Sequence, residues 1–173
     1  MVARIPSYCP DCGTALTTVE REGRSRKRCA SCDRIVYRNP VPGAGVVVVD
    51  GDRVLLVRRR IDPGVGKWCD SGGHLEVDEP PAVAAARELE EETGLAVDAA
   101  ALTLVDAVAM EPWGEKHVVS MGYAVRRSET TGRLSPGTDA DAARFVGRDD
   151  LSELEFAFDY VADRVERALA LFE

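Results

Sequence analysis

"GGHLEVDEPPAVAAARELEEETGL", residues 72–95, decides how the chain is read. It opens on Gly72-Gly73 and closes on Gly94-Leu95. Between them, Pro80 to Thr93 carries the marks of a helix. Two prolines suit a first turn, Asp78 or Glu79 can cap it, and alanines fill its middle. Gly94 stands where a left-handed terminal residue belongs. At helical spacing Ala82, Val83, Ala86 and Leu89 share one side, and Glu88, Glu91 and Glu92 share an arc of about 100° on another. Glu88, Glu90, Glu91 and Glu92 crowd the C-terminal end, where negative charge opposes the helix dipole and repels itself. That costs stability unless cations sit there. Hard ions such as Mg²⁺ take carboxylate oxygens, waters and substrate phosphates. A solvated acidic face is the alternative.

Strands flank this segment. "AGVVVVDGDRVLLVRRR" reads as a strand, a turn at Asp50-Gly51 and a returning strand, with Val46–Val49 apolar enough to be buried on both faces. "IDPGVGKW" is a Gly/Pro loop, and Trp68-Cys69-Asp70 a short strand candidate. Leu102–Met110, Val118–Val125 and Ala142–Val146 are further strand candidates. Glu155–Phe172 reads as a final amphipathic helix, with Phe158, Val161, Val165, Leu169 and Phe172 at helical spacing. Strands before, between and after two helices predict an α/β sandwich with a mixed sheet.

Bulk properties limit the partners. A net charge of −8 disfavours general binding to a nucleic-acid backbone, yet metal ions can reverse the sign locally for an anionic substrate. No apolar run reaches the length of a membrane span, and "MVARIPSYC" lacks the apolar core of a signal peptide. A cytoplasmic protein without membrane contact is the expectation.

Four of the five cysteines form two knuckles, "CPDC" (Cys9, Cys12) and "CASC" (Cys29, Cys32), with 16 residues between them. This is the spacing of a closed, structural Cys₄ zinc site. Two disulfides are the alternative, disfavoured in a cytosolic chain. The intervening stretch predicts a hairpin turning at Glu22-Gly23. Arg21, Arg24, Arg26, Lys27 and Arg28 make the module basic, which reads as a solvated face or as an RNA or phosphate contact. "YRNPVPGAG" is a connector whose prolines interrupt regular structure. The expected division is a zinc ribbon over 1–38 and a main domain over 39–173.

The segment resembles the Nudix hydrolase signature: Gly, five residues, Glu, seven residues, Arg-Glu-apolar-any-Glu-Glu-any-Gly-apolar. Here that is Gly73, Glu79, Arg87-Glu88-Leu89, Glu91-Glu92 and Gly94-Leu95. The ribbon followed by "YRNP" is similar to the NADH pyrophosphatase branch. The resemblance implies a Nudix-type α/β/α sandwich with a mixed sheet. It also implies hydrolysis of a nucleoside diphosphate linked to another moiety, with Mg²⁺ or Mn²⁺. Glu91 and Glu92 would be metal ligands, Glu88 would bind metal or orient the attacking water, and a carbonyl of Gly72 or Gly73 would complete the cluster. Glu79 and Arg87 would tie loop to helix. Family members often form dimers, so a homodimer is among the assemblies it allows.

The substrate reading rests on the loop after the signature. NADH pyrophosphatases carry Ser-Gln-Pro-Trp-Pro-Phe-Pro there, whereas this chain has "MEPWGEKH". Pro112-Trp113 remain and the rest departs, so an ADP-ribose-like nucleotide is favoured. NAD(H), with NAD-capped RNA, is the alternative, and a non-catalytic nucleotide-sensing or RNA-binding regulator is the alternative of another class. Trp113 could stack on a base, Arg58 and its neighbours Arg59 and Arg60 could meet phosphate, and Glu115 or Glu111 could add a carboxylate. His74 and His117 lack partners at metal spacing. Cys69 reads as a buried thiol.

Overall fold

A computed structural model describes residues 4–173. The described residues form two compact units, 4–41 with 112–117, and 42–111 with 118–173.

In the first unit, β1 (Thr17–Arg21), β2 (Arg24–Cys29) and β3 (Arg34–Val36) form an antiparallel sheet in that order. The β1–β2 turn falls at Glu22-Gly23, with φ of 55° and 69°. Two successive left-handed residues match the twist of paired strands. β3 was not anticipated; three residues are too few to show a period. The loop 112–117 belongs to this unit: the Ile5 N–H donates to the Glu115 carboxylate at 3.2 Å, and the Val41 N–H to the His117 carbonyl at 2.8 Å.

The second unit is a mixed sheet covered by two helices. Its elements are β4 (Val41–Asp50), β5 (Arg53–Arg59), β6 (Trp68–Cys69), β7 (Ser71–His74), α1 (Pro81–Thr93), β8 (Leu95–Val97), β9 (Thr103–Ala109), β10 (Val118–Arg126), β11 (Thr130–Gly132), β12 (Ala140–Gly147) and α2 (Tyr160–Phe172). The strand order is β12-β5-β4-β10-β9, with β6 added to β5 and β7 to β4, while β8 and β11 pair separately. The valine run of β4 explains the layers. Val47 and Val49 pack with Val161, Val165 and Leu169 of α2. Val46 and Val48 pack with Ala84, Ala85 and Leu89 of α1. Alternate residues of one strand thus bury opposite faces under different helices, which demands an unbroken apolar run.

Four expectations needed correction. The connector does not stay irregular: Val41–Gly45 is strand, because Gly43–Gly45 pair with β7 and the Val41 N–H bonds the His117 carbonyl. The apolar side of α1 is Ala84, Ala85, Leu89 and Thr93, whereas Val83 is exposed. Alanines carry too little apolar contrast to set a helix phase. Neither Asp78 nor Glu79 caps α1; Pro80 takes that position without a side-chain bond, and Glu79 is held elsewhere. The last helix begins at Tyr160 instead of Glu155. Residues 155–157 are extended beside β6, with Trp68 N–H donating to Glu155 O and Ala157 N–H to Trp68 O, both at 2.9 Å.

Candidate active site and cysteine cluster

The site is built where β7 meets α1. β7 pairs with β4 in the register Gly43↔His74, Ala44↔Gly73 and Gly45↔Gly72. A Cβ on Gly72 would lie 2.6 Å from the Ala44 carbonyl oxygen, and one on Gly73 would lie 2.4 Å from the Glu88 carboxylate. Only glycine lets this strand lie so close to its neighbours. The Gly72 N–H then donates to Glu92 Oε2 at 2.9 Å.

Arg87 organises the rest. Its Nε and Nη2 hold both oxygens of Glu79 at 2.9 and 3.0 Å, and Nη2 also donates to the His74 carbonyl at 3.1 Å. This two-pronged pairing fixes the loop against the helix. Nη1 donates to Glu88 Oε1 at 2.9 Å and to Glu91 Oε2 at 3.0 Å. One guanidinium therefore faces three carboxylates. Glu88 is largely covered, at 15% side-chain exposure, whereas Glu91 is open at 58%.

The charges are poised for a cation. Burial pushes Glu92 up to about 8; the Gly72 N–H opposes the rise and the Glu88 charge adds to it. Burial also raises Glu88, against the pull of Arg87. Glu79 is held low by its hydrogen bonds from Arg87. Two carboxylates half-withdrawn from water beside an open third are a hard-oxygen donor set that suits Mg²⁺ or Mn²⁺. The Glu88 carboxylate lies directly against the Gly73 backbone, where any Cβ would collide with it. The glutamate oxygens are not gathered as tightly as the cysteine sulfurs: among the described residues only the cysteines bring three or more ligand atoms within 4.8 Å.

Behind β7 lies a network that the sequence reading missed. Arg164 of α2 is fully buried. Its Nη1 donates to Asp70 Oδ2 at 2.8 Å, its Nη2 to Asp106 Oδ1 at 2.8 Å, and both to the Ser120 hydroxyl at 3.1 and 3.2 Å. The Tyr160 ring lies 4.3 Å from the guanidinium carbon. Burial raises Asp70, and Arg164 opposes it. Asp70 Oδ1 is buried with no partner. Arg164 sits three residues after Val161 and one before Val165, so a charge on the core-facing stripe of α2 was the available signal.

Arg58 Nε is paired to Asp141 Oδ1 at 2.6 Å. Its neighbour Arg59 is the arginine whose charge reaches Glu92. Trp113 and Glu115 belong to the first unit, with the Trp113 ring exposed. Cys69 is buried, and that burial pushes its thiol up to about 12, against any nucleophilic role.

In the first unit Cys9, Cys12, Cys29 and Cys32 place their sulfurs within 4.8 Å of one another, and none is in a disulfide. Sγ–Sγ separations are 3.6 Å for Cys12–Cys29 and 4.0 Å for Cys9–Cys32. Cys12 is pushed down to about 6, chiefly by the Thr14 hydroxyl, and Cys32 up to about 12, chiefly by its bond with Cys12. Four such sulfurs could hold tetrahedral zinc.

A glycine strand braced against the carboxylate-rich end of a helix, within a sheet covered on both faces, defines an α/β protein with a cluster of carboxylates beside a glycine turn. Residues 39–167 match the NUDIX domain, and the chain belongs to the Nudix family. It is 30% identical to an ADP-ribose pyrophosphatase of Methanocaldococcus jannaschii over 70% of each chain. It is 37% identical, over 97% of its own length, to an octanoyltransferase of Myxococcus xanthus, and spans about half (48%) of that protein. A NUDIX hydrolase structure from Nitrosomonas europaea superposes with a TM-score of 0.76 at 25% identity, covering 96% of this chain and 92% of the other. No helix among the described residues is long and apolar enough to cross a membrane.

Proposed function

We propose that the chain is a Nudix pyrophosphohydrolase that cleaves the pyrophosphate bond of a nucleoside diphosphate linked to another moiety, with an ADP-ribose-like nucleotide favoured. The observation that carries the reading is the Glu88–Glu91–Glu92 set on α1, braced by Arg87 and faced by the Gly72-Gly73 strand. The M. jannaschii relative supports the substrate class. In this reading Glu88, Glu91, Glu92 and the Gly73 carbonyl hold Mg²⁺ or Mn²⁺. Such ions neutralise a diphosphate and lower the pKa of bound water. Arg87 and Glu79 position α1 and its loop. Glu88 would alternatively orient the attacking water. Arg58, Trp113 and Glu115 are assigned to substrate contacts outside this set.

We further assign the domains as a zinc ribbon over 1–38 and a hydrolase domain over 39–173, in a cytoplasmic protein that can form a homodimer. Incubation with ADP-ribose, NADH and dNTPs, with and without Mg²⁺, tests the function. Metal-dependent release of AMP from ADP-ribose supports it. NMN and AMP from NADH as the dominant products would move the substrate to the alternative, and binding without turnover of any nucleotide would reject the enzyme.

The raised Glu92 gives a pH-dependent prediction. Its folded form binds a proton that the unfolded chain releases between about pH 4.5 and 8, so its contribution to metal-free stability falls as pH rises across that window. A metal ion needs the carboxylate, so its binding releases that proton. The Mg²⁺-induced rise in melting temperature is therefore larger at about pH 8 than at about pH 6. Equal shifts at the two values would contradict Glu92 as a ligand.

For the ribbon, Cys29→Ser removes one of four sulfurs. Bound zinc falls well below one per chain, and the first unit melts at lower temperature because the metal supplies folding energy to a piece too small for its own core. Full zinc retention would refute the Cys₄ site.

A further inference from the structure

The charge of the chain is divided unequally. The first unit holds nine Lys/Arg against five Asp/Glu, a net of +4, which leaves −12 on the second. The exposed aromatic rings divide the same way. Tyr8, Tyr37 and Trp113 are the only ones among the described residues, and all three lie in the first unit. The hydrolytic reading uses neither the basic sheet nor Tyr8 and Tyr37.

Strand register places the basic residues on one face. Along β2, Arg24, Arg26 and Arg28 alternate with Ser25, Lys27 and Cys29, so the three arginines share the face opposite the metal-binding sulfur. Arg21 of β1 stands directly across from Arg24 and extends the row. Glu20 falls on the opposite face by the same alternation. Of the acids in this unit, Asp33 is paired with Arg28, Asp11 with Arg34, and Glu115 with the Ile5 N–H. Among the described residues, Arg21, Arg24 and Arg26 have no carboxylate partner.

Two arginines directly opposed across a strand pair repel each other. This arrangement gains from an outside anion. Arg26 adds a second observation. Its guanidinium lies 5.1 Å from the centre of the Tyr37 ring, and its Nε is buried without an acceptor. Tyr37 is itself 54% exposed, so its free face is open for stacking. Successive same-face residues of a strand repeat about every 6.8 Å. A row of cations at that spacing beside an exposed ring suits a flexible chain with regularly repeated anions and flat, stackable groups.

We propose that this face of the ribbon binds single-stranded nucleic acid, with backbone phosphates on Arg21, Arg24 and Arg26 and a base stacked on Tyr37. Positive grooves with exposed aromatics bind single strands in this way without base-specific hydrogen bonds. An acidic protein segment or an anionic lipid surface would satisfy the arginines but leave Tyr37 unused.

The test is fluorescence anisotropy with zinc-loaded full-length protein in Mg²⁺-free buffer. The probes are 3′-labelled oligo(U) and oligo(dT) of about a dozen nucleotides, a length within the site size of small single-strand binders. A 5′-hydroxyl end leaves the hydrolytic centre no pyrophosphate to engage. Binding at about 50 mM salt that weakens steeply toward about 200 mM is expected. Arg21→Gln with Arg24→Gln lowers the log–log salt slope by about 1.4, at about 0.7 per phosphate contact on a single strand. Tyr37→Ala weakens binding about 10-fold and Tyr37→Phe restores it, since the ring is what stacks. Zinc content stays at the wild-type level in all variants, because Arg21, Arg24 and Tyr37 are exposed. Nucleotide hydrolysis also stays at that level, so a failure here is separable from a failure of the enzymatic reading. Tighter binding of oligo(U) than oligo(dT) would assign the strand as RNA, and equal binding as either nucleic acid. No binding at about 50 mM salt, or an unchanged salt slope in the double Gln variant, overturns the proposal. Equal affinity for poly-glutamate or for phosphatidylserine vesicles overturns it as well.

Discussion

Glu92→Gln lowers kcat/KM for a nucleoside diphosphate substrate by about three orders of magnitude while the chain still folds. Three features of Glu92 make it the most sensitive of the three glutamates. It accepts the Gly72 N–H at 2.9 Å, so it touches the glycine strand as well as the helix. Burial pushes it up to about 8, so its negative charge is costly unless something positive compensates it. Arg87, which pairs with Glu79, Glu88 and Glu91, makes no ion pair with it. A metal ion is the compensation the proposed mechanism offers. Loss of one charged ligand forfeits several kcal/mol of transition-state stabilisation, and about 4 kcal/mol is a factor of about 10³. Gln keeps the volume and an acceptor for Gly72, so the metal-free protein melts no lower than wild type near pH 8. The Mg²⁺-induced thermal shift shrinks in parallel with turnover. Turnover within threefold of wild type, at saturating Mg²⁺, would remove Glu92 from the catalytic set.

Arg164→Met destabilises the second unit by about 3–5 kcal/mol, the range for breaking a buried ion pair from one side. Arg164 is fully buried, and its guanidinium neutralises Asp70 and Asp106 together while donating to Ser120. Methionine fits the volume but leaves two buried carboxylates uncompensated. Asp70 is then worst off: Oδ2 loses its donor, and Oδ1 already has none. Both acids must protonate or take up water, so the loss is smaller at acid pH than at neutral pH. For a domain of this size the shift in melting temperature is roughly 2–4 °C per kcal/mol, so about 10 °C overall. Arg164→Lys retains the charge but cannot reach Asp70, Asp106 and Ser120 at once, and it falls between the two. A melting temperature within about 2 °C of wild type for Arg164→Met would show that the network contributes little. Asp70 immediately precedes Ser71 and Gly72, so the network also anchors the strand that faces Glu92.

Local chemistry was legible where neighbours in sequence are neighbours in space. The α1 glutamates, the αL Gly94 at its end, the Glu22-Gly23 turn and the cysteine knuckles each act within a few residues. Periodicity failed where composition gave it little contrast, as in the alanines of α1, or where an extended segment lay beside another strand, as at 155–157. The connector misled because prolines were weighed without their partner strand. β7, some 30 residues away, supplies the pairing that makes Gly43–Gly45 a strand.

The sequence alone determined which residues are candidates for the chemistry: four sulfurs in two tight turns, and a glycine pair followed at fixed spacing by a carboxylate-rich helix. These are short-range facts, set by backbone geometry and charge along one segment. Only the tertiary structure decided that Glu92 is the one sunk against Gly72, and that Arg164 neutralises Asp70 and Asp106 in the interior. Each depends on burial and on groups up to about 90 residues apart, and desolvation is a property of the packed surroundings that no stretch of chain possesses by itself.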